Sequence, residues 1–126
     1  MGKHIMIIDD AKAIREVVGH VLSTEGYELI EACDGADALK KLESKAGVDL
    51  FICDVNMPNM DGVTFLGKVK NDAAYASYRF TPFIMLTTEA GADMRAKGME
   101  AGVKAWLIKP FQPQALLDSV KKLLPQ

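Results

Sequence analysis

Five short apolar runs punctuate the chain, and a stretch with helical spacing follows each one. The runs are His4–Ile8, Tyr27–Ala32, Val48–Cys53, Pro82–Leu86 and Ala105–Ile108. After the first, Ile14, Val17, Val18, Val21 and Leu22 share one helical face, and Gly26 ends the pattern. Gly35–Ser44 carries Ala38, Leu39 and Leu42 at the same spacing, and Val63–Lys70 carries Phe65, Leu66 and Val69. Gly91–Glu100 is a fourth such stretch, and Gln112–Leu124, with Leu116, Leu117, Val120, Leu123 and Leu124, is the last. Strands that alternate with helices predict a parallel sheet covered on both faces.

Strand composition orders that sheet. Ile5–Ile8, Leu50–Cys53 and Phe83–Leu86 are unbroken apolar runs, as strands buried on both faces require. Glu28-Leu29-Ile30-Glu31 alternates with charge, and Ala105–Ile108 is short and meets Lys109, so these two read as edges. The pattern predicts an α/β, flavodoxin-like, doubly wound sheet of order 2-1-3-4-5 with five helices. The fourth helix offers a core only Met94, Met99 and alanines, which predicts a weakly anchored element able to shift.

Composition narrows the class. The 126 residues suit one domain, residues 1–126, and 49% hydrophobic with 25% charged residues is ordinary globular chemistry. A net charge of −2 provides no strong basic field for nucleic acid. No apolar run approaches the ~18 residues of a membrane span. Ile5–Ile8 meets Asp9-Asp10 too soon for a signal peptide, and Met1-Gly2 lacks the Ser or Thr at position 6 that myristoylation wants. A cytoplasmic, monomeric domain is expected. Cys33 and Cys53 have no further Cys/His cluster to complete a metal site and read as small buried hydrophobes. His4 and His20 carry no chemistry. Tyr75, Tyr78, Phe80 and Phe83 read as packing around the longer connection before the fourth strand.

In open α/β sheets the working site lies beyond the carboxyl ends of the strands. Asp9 and Asp10 follow the first strand, Asp54 and Val55-Asn56-Met57-Pro58-Asn59 the third. Thr87, Thr88 and Glu89 follow the fourth, and Lys109-Pro110 the fifth. Three carboxylates, a hydroxyl and a lysine therefore converge on one edge. Carboxylates brought together raise one another's pKa unless a cation sits between them. Mg²⁺, held by one or two carboxylates and phosphate oxygens, fits that set. An aspartate beside it can take a phosphoryl group, and Thr87 and Lys109 are the right types to meet the phosphoryl oxygens.

Each residue also has a plainer reading. Asp9-Asp10 could cap the first helix, Thr87 and Thr88 could be turn residues, and Lys109 a solvated strand end. Asp54-Val55-Asn56 begins like a calcium loop, but Pro58 and Asn59 stand where a ligand and glycine belong. Gly91–Gly102 has glycines without a lysine-bearing phosphate loop. A flavin carrier needs a Ser/Thr-rich loop where Asp9-Asp10 would repel phosphate. A haloacid-dehalogenase-type phosphatase needs its nucleophile in Asp-x-Asp after the first strand, and a cap domain. Convergence of five positions favours a phosphoryl site over these alternatives.

Ile7-Ile8-Asp9-Asp10, Asp54–Gly62, Met85-Leu86-Thr87-Thr88-Glu89 and Lys109-Pro110-Phe111, in that order and spacing, resemble the receiver domain of two-component response regulators. The nearest form is the stand-alone, CheY-like kind. The resemblance implies that Asp54 is the phosphoacceptor for a histidine kinase. It implies that Asp10 and Asp54 hold Mg²⁺ with the Asn56 carbonyl, Asp9 acting through water. Lys109 would pair with phosphoryl oxygens, fixed by a cis Lys109–Pro110 peptide, and Thr87 would swing inward with an aromatic on the fifth strand following. That aromatic is Trp106, where the family commonly has Tyr or Phe. Ala11 is a second departure, where many relatives carry Ser or a bulkier residue. Asn56 and Glu89 flank the phosphoryl position and imply a short-lived phosphoaspartate.

The chain carries no output domain, so its own surface is expected to signal. By resemblance that surface is the fourth helix, fifth strand and fifth helix, with Lys97, Lys104, Lys121, Lys122 and an exposed Trp106 on or near it. An acidic amphipathic segment of a target protein suits such a face. A chemotaxis kinase and the flagellar motor switch are the partners implied. The alternative is a stand-alone phosphate sink or phosphorelay shuttle in another pathway.

Overall fold

The computed structural model describes residues 3–44 and 47–124, so the expectation about Met1-Gly2 lies outside the described residues. Strands β1 (His4–Ile8), β2 (Glu28–Ala32), β3 (Leu50–Cys53), β4 (Phe83–Thr87) and β5 (Ala105–Ile108) form one parallel sheet of order β2-β1-β3-β4-β5. Helices α1 (Lys12–Ser23), α2 (Gly35–Glu43), α3 (Gly62–Asn71), α4 (Ala92–Ala101) and α5 (Pro113–Leu123) connect the strands. A 3-10 helix, Ala73–Tyr78, is inserted before β4, an element the sequence pattern does not show. No described helix is long and apolar enough to cross a membrane.

Strand alternation sends side chains to two cores. Ile5, Ile7, Leu50, Ile52, Ile84 and Leu86 meet Val18 and Leu22 of α1 and Leu116 and Val120 of α5. Met6, Ile8, Phe51, Cys53, Phe83 and Met85 meet α2 and α3 on the other face. Phe51 stacks on Phe83 with ring centroids 4.5 Å apart, and Phe65 closes edge-on at 5.7 Å. Each such ring contributes about 1.5–3 kcal/mol by burial. The edge strands are as charge patterning predicts. β2 is exposed at Glu28 and Glu31, and Ile108 of β5 is exposed.

Cys53 is buried, but Cys33 is exposed in the turn after β2. Of the aromatic group before β4, Tyr75, Tyr78 and Phe83 are buried, whereas Phe80 is 89% exposed. α4 is as weakly anchored as its sequence predicts: Gly98 is its buried residue, Met94 is half-buried and Met99 is exposed.

Candidate functional site

Register builds the site. Ile8 pairs with Cys53, so the residues that follow, Asp9 and Asp54, leave the sheet side by side. Thr87 pairs with Ile108, which brings Lys109 to the same edge. The Lys109 N–H donates to the Thr87 carbonyl at 2.9 Å, and the Lys109–Pro110 peptide is cis, as the resemblance implies. Asp9, Asp10 and Asp54 offer carboxylate oxygens all within 4.8 Å of one another, with Asp9 and Asp54 buried and Asp10 exposed.

One cation answers three carboxylates. The Lys109 ammonium donates to Asp9 Oδ2 at 2.6 Å and to Asp54 Oδ2 at 3.2 Å. Burial works to lower the lysine's pKa, but the hydrogen bond and charge of Asp9 and the charge of Asp54 outweigh it and raise it. Burial pushes the Asp9 carboxyl up, against the pull of Lys109 and the Ala11 N–H, which donates to Asp9 Oδ1 at 2.9 Å. The N-cap of α1 is Ala11 and no side chain caps it, so the aspartates are not there to cap the helix. The cluster keeps an excess of two negative charges over Lys109. Asp10 makes no hydrogen bond or ion pair among the described residues. An all-oxygen donor set with that residual charge fits a hard divalent ion such as Mg²⁺.

The rest of the edge is held by contacts that sequence reading missed. Gly62 donates its N–H to the Val55 carbonyl at 2.8 Å, and a Cβ there would fall 2.1 Å from the Asp54 carbonyl oxygen. Only glycine lets α3 start that close to the end of β3. Asn59 takes φ +69° and donates to Asp34 Oδ2 at 2.9 Å, tying the loop after Asp54 to the start of α2. Arg15 reaches from α1 to donate to the Asp9 carbonyl at 2.5 Å. Asn56 is exposed, and its N–H donates to Asp54 Oδ1 at 3.4 Å. The signal for the two loop devices was in plain sight, an Asn and a Gly within eight residues of Asp54.

Thr87 is fully buried, and its Oγ1 accepts the Glu89 N–H at 3.1 Å. The Glu89 carbonyl in turn accepts the Trp106 indole N–H at 2.9 Å. Trp106 is only 6% exposed, which corrects the expectation of an exposed aromatic. Its place in β5 points it to the α2–α3 core, and Gly98 of α4 supplies the slot for its larger ring. The expected lysines differ in their surroundings. Lys97 is exposed on α4 and Lys122 on α5. Lys104 sits at the opposite end of β5 from Lys109, donating its N–H to the Phe83 carbonyl at 2.9 Å. Lys121 is turned to the end of α1, where it pairs with Glu25 at 2.8 Å.

The chain is thus a doubly wound α/β domain of order 2-1-3-4-5 with three aspartates and a lysine at its carboxyl edge. The profile of the response regulator receiver domain matches residues 5–121, and the chain belongs to that family. Chemotaxis protein CheY1 of Helicobacter pylori is 35% identical over 121 residues, covering 95% of each chain. Protein PilG of Pseudomonas aeruginosa is 37% identical over 124 residues, covering 98% of this chain and 89% of the relative. The solved structure of chemotaxis protein CheY4 of Vibrio cholerae superposes with a TM-score of 0.87 at 40% identity, over 98% of this chain and 100% of the other. A CheY-like receiver domain protein from Methanospirillum hungatei superposes at 0.86 with 31% identity, over 98% of this chain and 94% of its own.

Proposed function

We propose that this receiver domain takes a phosphoryl group from a histidine kinase onto Asp54 and signals by binding a target protein according to that state. The observation that carries the reading is the Lys109 ammonium seated between the Asp9 and Asp54 carboxylates at 2.6 and 3.2 Å. Asp10, Asp54 and the Asn56 carbonyl would hold Mg²⁺, with Asp9 acting through water. When bound, the metal supplies positive charge against the phosphoryl oxygens.

A carboxylate oxygen of Asp54 attacks phosphorus, the P–N bond of phosphohistidine breaks, and its electron pair leaves on the imidazole. That nitrogen takes its proton from solvent. Lys109 stays charged, because both aspartates raise its pKa, and it turns its N–H donors from Asp54 to the equatorial oxygens. Thr87 offers its hydroxyl proton to the same oxygens. Its oxygen accepts the Glu89 N–H, so turning the side chain inward to reach the phosphoryl group would break that bond and loosen the loop between β4 and α4. Trp106 hangs on the Glu89 carbonyl and feels that change directly. Asn56 and Glu89 border the acyl phosphate and set how easily water reaches phosphorus. Attack by that water breaks the P–O bond, restores the carboxylate and releases phosphate.

The similarity to chemotaxis proteins of matching length supports a regulator in chemotaxis; that it acts as a cytoplasmic monomer on a flagellar motor switch is part of the proposal. The target would read α4, β5 and α5 through Lys97 and Lys122. Intact mass after incubation with Mg²⁺ and acetyl phosphate, with Asp54→Ala alongside, tests the phosphoryl step. Gain of one phosphoryl group, lost without Mg²⁺ and lost in the variant, is the expected result. No gain while Mg²⁺ binds would leave a binding module without the chemistry.

A further inference from the structure

The turn between the 3-10 helix and β4 presents Phe80 to solvent at 89% exposure, although its neighbours Tyr78 and Phe83 are buried. A ring left outside forfeits about 1.5–3 kcal/mol of burial. The turn that carries it is braced. Lys70 of α3 donates its ammonium protons to the Arg79 carbonyl at 2.7 Å and the Thr81 carbonyl at 3.3 Å. The Arg79 N–H donates to Ala76 at 3.2 Å and the Thr81 N–H to Tyr78 at 3.0 Å. Two exposed cations lie at this end of the sheet, Arg79 in the turn itself and Lys104 just before β5, its N–H bonded to the Phe83 carbonyl, while the Lys70 ammonium also sits 5.7 Å from the centre of the Phe83 ring. Burial first, and the charge of Lys104 second, lower the pKa of Lys70. Among the described residues no carboxylate pairs with Arg79 or Lys104.

We propose that Phe80, next to the exposed Arg79 and at the same end of the sheet as the exposed Lys104, is a docking knob for an acidic amphipathic segment of a partner protein. Apolar residues of the segment close over the ring, and its carboxylates meet the exposed Arg79 and Lys104, which no carboxylate pairs among the described residues. A central aromatic with a charged rim is the composition of a protein hot spot. Membrane attachment through charge takes about 4–8 basic residues, more than this patch holds. A net charge of −2 disfavours nucleic acid. The knob lies at the amino end of the sheet, opposite the aspartates, so docking here does not depend on the state of Asp54.

The test is a titration of ¹⁵N-labelled protein with a short synthetic peptide of glutamate and leucine at helical spacing. Saturable shifts at the amides of Lys70, Arg79, Phe80, Thr81 and Lys104 are expected, equally in Asp54→Ala, and weakened by salt. Phe80→Ala removes an exposed side chain, leaves the fold intact and weakens binding about tenfold. Arg79→Glu weakens it at least as much. Shifts confined to α4, β5 and α5, or binding indifferent to Phe80→Ala, would overturn the proposal. So would tighter shifts of the same amides by phosphatidylserine vesicles or single-stranded DNA. Because Asp54→Ala is one arm, failure here is distinguishable from failure of the phosphoryl reading.

Discussion

The Trp106 indole N–H donates to the Glu89 carbonyl at 2.9 Å while its ring lies against the bare Cα of Gly98. A Cβ at position 98 would come within 2.5 Å of Trp106 Cζ3. The indole thus serves as the seat of α4, a helix with little other apolar anchorage, and as a strut for the loop after Thr87. Helix and loop are linked through one side chain.

Gly98→Ala therefore expels the indole. Replacing glycine inside a helix gains up to about 1 kcal/mol of propensity. Overpacking against a ring held in a strand costs about 1–3 kcal/mol. The clash wins narrowly, so the stability loss is small while the environment change is large. Trp106 is the only tryptophan, and its emission maximum in the variant should move to the red with greater acrylamide quenching. An unchanged spectrum would mean that α4 yields and the Trp106–Glu89 bond does not matter.

The strand order, both edge strands and the convergence of Asp9, Asp10, Asp54, Thr87 and Lys109 were legible because each rests on a local pattern. Unbroken apolar runs mark strands covered twice, and the first polar residue after each marks the sheet edge. Trp106 is buried where the resemblance implies an exposed ring, because its parity in β5 points it toward the α2–α3 core. Its slot is made by an absence, the missing Cβ of Gly98, and an absence on another element has no periodicity. Lys121, exposed on α5 as expected, has a partner that sequence does not show. A helix has a face toward each neighbour, and only packing shows that Glu25 waits at the end of α1. Phe80 breaks the apolar-inside rule, and sequence pattern defaults to that rule.

Gly62→Ala tests how tightly the start of α3 is bound to the end of β3 beside Asp54. The added Cβ would meet backbone, the Asp54 carbonyl at 2.1 Å, which cannot rotate away as a side chain can. The loop from Val55 to Asp61 must shift, and the Gly62 N–H bond to Val55 breaks. A loss of about 2–3 kcal/mol in urea denaturation is expected, well beyond the propensity gain. Gly67→Ala on the same helix, with nothing within 4 Å of its Cβ, should instead be neutral or stabilising. Equal behaviour of the two variants would refute the close approach.

Asp34 gives the acid limb of stability a named contributor. Its carboxylate accepts the Asp37 N–H at 2.8 Å, as the cap of α2, and the Asn59 amide at 2.9 Å. The backbone bond first, and Asn59 second, hold its pKa below the usual 3.8. A depressed carboxyl contributes stability above its unfolded pKa and loses it as pH falls through the folded value. Asp34→Asn keeps a capping oxygen without the charge. Wild type should be more stable than the variant at neutral pH by about 0.5–1 kcal/mol, and the two should converge below pH about 4. Parallel stability curves through the acid limb would assign the loss to other carboxylates.

Metal binding should appear as stability before any phosphoryl chemistry is attempted. Without metal, Lys109 alone answers Asp9, Asp10 and Asp54, and burial already raises the pKa of Asp9. Mg²⁺ at tenfold over its Kd adds about 1.4 kcal/mol, whatever the affinity. For a domain of this size that is a rise of about 4 °C in Tm. Asp54→Asn removes a ligand and one of the repelling charges together. Its Tm in EDTA should equal or exceed that of wild type, and the Mg²⁺ increment should vanish. Lys109→Ala leaves the buried Asp9 and Asp54 unpaired, at a cost of about 3–5 kcal/mol in EDTA. Its Mg²⁺ increment should survive, because the ligand set is untouched. Thermal denaturation of the three proteins with and without Mg²⁺ separates the roles. An increment that persists in Asp54→Asn would place the metal elsewhere and remove Asp54 from its ligands.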